Sequence, residues 1–530
     1  MATAVTPKRM TTSLTLSSNI RVYNTLTKEK ESFQTVEPGK VGIYLCGPTV
    51  YKEAHIGHMV GPVIFDTIKR YLTYCGYHTR FVVNITDVDD KIIAQSQERG
   101  ISMFQVATEM TMDYMANLKS LGVDQIDAMP RATEHIRDII DIIQKLIDKG
   151  FAYPAGNDVF FEVGKDREYG KLSNRKADEQ QGEGGDAASR KRSPGDFALW
   201  KSAKPGEPAW ESPWGRGRPG WHIECSAMSK RTLGESFDIH GGGLDLLFPH
   251  HENEIAQSEC CHGKPFARYW LHNGLMRADN NAGKVGGKND RDDGSQDAAS
   301  GKISRSKGAG GLANLIEKVG GDKLRFFLLR THYRSTIVFS EAAVEEAGSG
   351  LESFTRFFER YERITGKSFY KLEGAKTRVE GEAIDDSLAL ADLLREHRGS
   401  FLTKMDDDFN TGGAVSDLYG LLGALNKFAD STGLDDAAKR TPENLAALEQ
   451  GAKVLKELSA LLGIFRKAPA KTAGAGDADL TGKLMDLLIA LRAEARARKD
   501  FALGDRVRNG LTEAGVTLED RKDGTLWRKA

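Results

Sequence analysis

The sequence predicts an α/β protein whose second half is wholly helical, and three observations carry that expectation. "VGIYLC" (Val41–Cys46) is a short run of strand-forming residues, Val60, Ile64, Phe65, Ile68 and Leu72 then recur at helical spacing, and "HTRFVVNITD" (His78–Asp87) reads as a second strand. "RPGWHIECSAMSKRTLG" and "FDIHGGGLDLLFPHHENEIAQSECCHG" resume the α/β pattern further on. From Ala342 the pattern turns helical and stays so.

Strand, helix and strand in that order make a parallel βαβ unit, with Gly76 as the helix stop. Ligands of such a unit lie at the carboxyl ends of the strands, where Cys46 and "NITD" fall. Phe104 to Leu146 reads as helical, and Asn157 to Leu172 as mixed and β-leaning. "KADEQQGEGGDAASRKR" is a polar, glycine-rich loop. Arg277–Gly301 has almost no apolar content, which predicts disorder, and it runs into "KISRSKG". In the helical half, Leu418, Leu421, Leu422, Leu425 and Phe428 share one face. "KAPAKTAGAGDADLTG" has linker composition. The last segment opens with a helix carrying Arg492, Arg496, Arg498 and Lys499, and Trp527 sits among cations near its end.

A chain of 530 residues is long enough for three or four units. No apolar run approaches the roughly 20 residues that span a bilayer, so no membrane partner is expected. The five cysteines form no framework pattern, which points to a reducing compartment with free or metal-bound thiols. The expected location is cytoplasmic. Residues 1–28 contain no Asp or Glu, with Lys8, Arg9 and Arg21, a composition shared by mitochondrial transit peptides and by short tails. Net charge is −1, so any nucleic-acid contact must rest on locally concentrated cations.

"HIGH" places His55 and His58 at a strand-to-helix turn, where free N–H groups and two imidazoles can meet phosphate oxygens. A surface turn with incidental histidines is the plainer account of so short a motif. His250 and Glu254, four apart, share a helix face, and with Cys46 and Cys225 they make a mixed N/S/O set acceptable to Zn²⁺. Cys260, Cys261 and His262 are a competing cluster, and inert core thiols with a solvated His/Glu pair are the alternative to both. "GGGLD" offers a flexible backbone and the Asp245 carboxylate, suited to a flat base and a ribose hydroxyl, or simply a turn. Lys302, Arg305 and Lys307 can neutralise a pyrophosphate, although most such runs are solvated charge.

Together, "YLCGPTVY…HIGH", "NITDVDDKII", "GDFALWK", "GWHIECSAM", "DIHGGGLDLLFPHHENEIAQSE", "DDDFNT" and "LRAEARARKDFALGDRVRNGL" resemble the cysteinyl-tRNA synthetases, a family of class I aminoacyl-tRNA synthetases. The resemblance runs from "IRVYNTLTKEKESF" to "GTLWRK". It implies a Rossmann-like parallel-sheet catalytic domain split by a connective insertion, then an all-α helical bundle and a small C-terminal anticodon-binding module. The implied boundaries are a tail at 1–19, catalytic halves at 20–110 and 216–341, and the insertion at 111–215. The helical domain follows at 342–468, a linker at 469–482 and the C-terminal module at 483–530.

By the same resemblance, Cys46, Cys225, His250 and Glu254 carry one Zn²⁺. His55 and His58 serve the ATP phosphates. Gly47, Thr86, Trp221 and His240 lie around the amino-acid pocket, and Asp245 lies near the adenosine. Mg²⁺ accompanies ATP. The implied substrates are ATP, L-cysteine and tRNA(Cys), handled by a monomer or homodimer. Since four protein ligands mark a closed zinc site, the site must either expand to five-coordinate or loosen one ligand for the substrate sulfur, and Glu254 is the candidate for the loose one. Two rival readings are a cysteine:amine ligase using the same adenylate and a non-catalytic RNA-binding paralogue.

"KISRSKG", residues 302–308, occupies the place of the family's KMSKS loop, with Ile303 for Met and Arg305 for the second Lys. Arg keeps the charge but not the geometry of Lys, and activity is expected to survive that exchange. Arg305→Ala should slow adenylate formation by about 10²-fold, the usual cost of removing one group that stabilises developing charge. An unchanged rate of ATP–pyrophosphate exchange would remove this loop from the site.

Overall fold

The computed structural model describes residues 19–175, 188–278, 311–468, 475–521 and 524–529. The expectations for the far N-terminus, for nearly all of Arg277–Gly301 and for Lys302 and Arg305 lie outside these residues.

Seven elements build the parallel-sheet core: β1 (Lys40–Leu45), α1 (Ile56–Tyr74), β2 (His78–Val83), α2 (Trp221–Leu233), β3 (Phe237–Gly243), α3 (Glu252–His262) and β4 (Ala267–Asn273). The four strands pair in the order β4-β3-β1-β2, all parallel. Near-continuous apolar strands fit a sheet covered on both faces: Ile43, Tyr44 and Leu45 of β1 and Phe81, Val82 and Val83 of β2 are all buried. β1 and β3 are neighbours whose following helices lead to opposite edges of the sheet, so their carboxyl ends flank the switch point where ligands bind in open α/β sheets. The Cys46 N–H donates to the Gly241 carbonyl at 3.1 Å, holding the first residue after β1 against β3.

Between β2 and α2 the chain makes helices and a separate antiparallel sheet of Ala152–Ala155, Asp158–Phe161, Phe197–Ser202 and Gly217–Pro219. The helical stretch expected from Phe104 to Leu146 is broken into Met103–Ser120 and Ile136–Asp148. Gly122, at a left-handed φ of 70°, turns the chain, which then runs beside β2 through bridges from Ala128 to Val82 and from Arg131 to Ile85.

The helices Glu341–Thr365, Ala391–Asp406, Thr411–Thr432 and Pro442–Leu461 form the helical half. Leu418, Leu421, Leu422 and Leu425 are buried in its core, with Phe428 packed against it. The C-terminal module has helices Ala475–Ala497 and Phe501–Glu513 and a hairpin of Val516–Arg521 with Gly524–Lys529. Its first helix begins inside the segment of linker composition. Arg492, expected on the cationic face, turns inward instead: it is 3% exposed and pairs with both carboxylate oxygens of Asp520, at 2.6 and 2.7 Å. A bidentate guanidinium–carboxylate pair closes the module and leaves this arginine no role at a phosphate.

The helical half is joined to α1 by buried polar contacts. Arg325 donates to Asp66 of α1 at 2.5 Å and to the Leu462 and Gly122 carbonyls at 2.7 and 3.1 Å. Tyr71 donates to Asp406 at 2.6 Å. Arg325 and Asp66 have fully buried side chains. Removing one partner of such a pair costs about 3–5 kcal/mol. Arg325→Met should therefore lower the thermal unfolding midpoint clearly, whereas Lys318→Ala, at an exposed pair with Glu341, should not. Equal midpoints for the two variants would refute this account of the junction.

Candidate active site

Cys46 follows β1, Cys225 lies on α2, and His250 and Glu254 lie at the start of α3. The fold brings these four distant residues together. The two sulfurs are 3.8 Å apart, Cys46 Sγ is 3.3 Å from Glu254 Oε1, and His250 Nε2 is 3.0 Å from the same oxygen. One potential ligand atom from each of the four lies within 4.8 Å of every other. Two thiols, an imidazole and a carboxylate at this spacing fit a thiophilic divalent ion. A second group, Cys46, His240, His251 and Glu254, meets the same spacing and shares two members with the first. Among the described residues, Cys260, Cys261 and His262 form no such group, and His262 faces Glu235 at 3.4 Å.

The electrostatics of the cluster follow from burial and close pairing. The hydrogen bond from Cys46 draws the Cys225 thiol down to about 6 against burial, while burial and then that same bond push Cys46 well up. Burial opposes charge on Glu254, but the His240 and His250 imidazoles hold it at about 2. Burial likewise opposes charge on His250, and the Glu254 carboxylate and Cys225 raise it to about 10. His222 and His251 are held well below the ordinary histidine range, first by burial and next by His250 and His240 respectively.

Sequence reasoning named Trp221 and His240 but missed His222, His251 and His272, and all five pack around this set. His222 Nδ1 lies 2.9 Å from His250 Nδ1, which turns Nε2 of His250 toward Glu254. A ligating histidine commonly has its second nitrogen fixed in this way. His222 sits three residues before Cys225 on the same helix, and that spacing is the signal that points to it. Trp221, the first residue of α2, stacks on His250 with ring centroids 4.2 Å apart. His240 donates from Nε2 to Glu254 Oε2 at 2.9 Å and stacks on Trp270 at 4.3 Å. His251 Nδ1 meets His272 Nε2 at 2.8 Å, and His272 in turn meets Thr25 at 2.9 Å.

On the other side of Cys46, the Gly47 N–H donates to Asn84 Oδ1 at 2.8 Å, and a Cβ at Gly47 would fall on the Asn84 carbonyl oxygen. Asn84 reaches Thr86 Oγ1 at 3.4 Å. Thr86 is buried, and its side chain is a neighbour that favours the charged form of the Glu224 carboxyl. Burial, and then the Cys225 and Asp89 charges, push Glu224 well above the usual carboxylate range. His55 and His58 stand at the N-terminus of α1, their rings stacked at 3.7 Å and joined in a reciprocal cap, with His55 N donating to His58 Nδ1 at 3.3 Å. Asp245 is exposed on the short turn after β3. In "GGG", Cβ atoms at Gly241 and Gly242 would strike the Phe65 ring and His251, so close packing of α1 and of that histidine requires both glycines.

Residues 32–285 match the family model for the class I (C) tRNA synthetase catalytic domain, and residues 400–466 match the DALR domain. A Cysteine--tRNA ligase of Heliobacterium modesticaldum is 43% identical over 519 residues, spanning 97% of this chain and 100% of that protein. The Cysteine--tRNA ligase of Thermococcus onnurineus is 41% identical over 512 residues, spanning 96% of this chain and 99% of that one. Among solved structures, Mycobacterium tuberculosis methionyl-tRNA synthetase in complex with methionyl-adenylate shares the fold, with a TM-score of 0.57 at 14% identity over 85% of this chain and 94% of its own. By its catalytic-domain match and by identity sustained along almost its whole length, the chain belongs to the cysteine--tRNA ligase family of class I aminoacyl-tRNA synthetases.

Proposed function

We propose that this protein activates L-cysteine with ATP to cysteinyl-adenylate and passes the cysteinyl group to the 3′ end of tRNA(Cys), releasing pyrophosphate and AMP. The observation that carries the reading is the gathering of Cys46, Cys225, His250 and Glu254 beside the turn that bears His55 and His58. Serine differs from cysteine by one atom, and a pocket relying on shape separates such a pair by only about 10²-fold. A zinc ion held by the four residues would bind sulfur far better than a hydroxyl and favour the deprotonated thiol.

The chain's own groups do the rest. His222 fixes the face that His250 presents, and His240 holds Glu254 Oε2, giving that carboxylate a partner away from the two sulfurs. The amino-acid carboxylate attacks the α-phosphorus of ATP, and pyrophosphate leaves. His55 and His58, at the N-terminus of α1, donate to phosphate oxygens as charge builds there. Gly47, lacking a Cβ, lets the backbone after Cys46 lie against Asn84 and Thr86 beside the amino-acid pocket. Lys302 and Arg305 neutralise the departing pyrophosphate, and Mg²⁺ arrives with the nucleotide. The helical half and the C-terminal module serve the tRNA, which an amine ligase working through the same adenylate would not require. No described helix is long and apolar enough to cross a membrane, and five free thiols suit the cytoplasm.

Cysteine-dependent ATP–pyrophosphate exchange should exceed the serine rate by well over about 10²-fold. Bulk tRNA should accept the cysteinyl group, and a small-amine control should not. An absent exchange, or an amine preferred to tRNA, defeats the assignment. Cys225→Ser should purify with less than one zinc per chain and lose selectivity for cysteine. Full selectivity in metal-free protein would show that the thiol set is not the selector.

A further inference from the structure

Glu224 has no place in the reading above, yet it lies inside the site. It is on α2, three residues after Trp221 and next to Cys225, and is 1% exposed. The Thr86 side chain is a neighbour that favours its charged form. One carboxyl oxygen, Oε2, is buried and has no hydrogen-bond partner. A buried acceptor left unpaired costs about 1–3 kcal/mol or more, so this orphan marks a place where a donor is missing.

The surroundings define what kind of donor fits. The charged groups that act on Glu224 are Cys225, Asp89 and Asp87, all of them acidic. The two aspartates are already engaged: Asp87 accepts from the Thr133 N–H at 3.0 Å and from its hydroxyl at 2.6 Å, and Asp89 caps the Lys91 N–H at 2.9 Å. Of the three carboxylates, Glu224 is the one with a buried oxygen left unpaired. Its neighbour Thr86 is held by Asn84, which also holds Gly47, so a line of hydrogen bonds runs from beside Cys46 to the residue next to this carboxyl. A cationic donor entering beside the sulfur ligands would complete it.

We infer that Glu224 receives the protonated α-amino group of the amino-acid substrate. Nitrogen and sulfur of cysteine are separated by only two carbon atoms, so a molecule whose sulfur lies against Cys46 and Cys225 must place its ammonium within a residue's reach of them. The inference rests on cysteine being the substrate. It adds a second selection: sulfur is read by the thiol set, and the amine by Glu224. Thr86 and Asn84 are then positioning residues, which act through the carboxyl.

The test compares cysteine with 3-mercaptopropionate, which keeps the thiol and the carboxylate and lacks only the amine. Binding of each to the intact protein is measured by calorimetry. Wild-type protein should prefer cysteine, and Glu224→Gln should weaken cysteine roughly 10- to 100-fold, the range for a hydrogen bond to a charged group. The same variant should leave 3-mercaptopropionate, ATP binding and zinc content unchanged. Glu224→Asp keeps the charge and should retain part of the preference, and it carries the comparison alone if Glu224→Gln does not fold. Equal weakening of both thiols, or of neither, overturns the inference and leaves Glu224 as a structural group or the seat of an ordered water. Failure of wild-type protein to bind cysteine at all would instead defeat the substrate assignment.

Discussion

Glu254 accepts from two imidazoles in a setting with no exposed surface, and the rest of the site is arranged around that carboxylate. A buried charge persists only when it is paired and hydrogen-bonded. His240 takes one oxygen, His250 takes the other, and Cys46 lies 3.3 Å from the second. Each partner is itself secured, His240 by stacking on Trp270 and His250 by His222 and Trp221. The donor atoms are therefore oriented before any ligand arrives, which spares reorganisation when charge develops. Two pairings order the buried histidines, His222 with His250 and His251 with His272, while Nδ1 of His240 and Nε2 of His251 are buried without a partner.

The sheet is what allows such close approach. Cys46 is fastened to β3 by its backbone, and β3 continues into glycines at the point where side chains would collide. Phe65 of α1 occupies the space a Cβ of Gly241 would need, and His251 the space a Cβ of Gly242 would need. The expectation that this run accommodates a flat base thus meets a more local cause. Two of the three glycines serve helix–strand packing and the histidine array, and a change at either would displace α1 or His251 before it altered any nucleotide contact.

The parallel βαβ unit was legible because strand and helix periods alternate cleanly over Val41 to Asp87, and the helical half because its leucines fall on one face. Cys46, Cys225, His250 and Glu254 were legible by residue type, though no spacing in the sequence could say that they meet. The supporting shell was not legible. His272 reaches Thr25, and His240 stacks on Trp270, through strand neighbours that local patterning cannot register. The inward turn of Arg492 was hidden for a similar reason: its partner Asp520 lies on a hairpin folded back from beyond a second helix. Gly122 ended a helix that apolar periodicity alone would have continued.

Helix α1 ties the nucleotide end of the site to the helical half. Its first turn carries His58, and its later turns present Asp66 to Arg325, Tyr71 to Asp406 and Tyr74 to Glu457. Glu457 is also bound by Arg398 at 2.9 Å, and Asp406 by both terminal nitrogens of Arg378 at 2.8 Å. Domain junctions are mobile by default unless they are large and well packed. This one continues the same hydrophobic core from the parallel sheet into the helical half, and the buried Arg325 bonds both Asp66 of α1 and the Leu462 carbonyl. Swinging the helical half away from α1 would require breaking the Tyr71–Asp406 and Tyr74–Glu457 contacts and the Arg325 bond to the Leu462 carbonyl together. The distance from the His55–His58 turn to the helical half is thus set by one continuous helix.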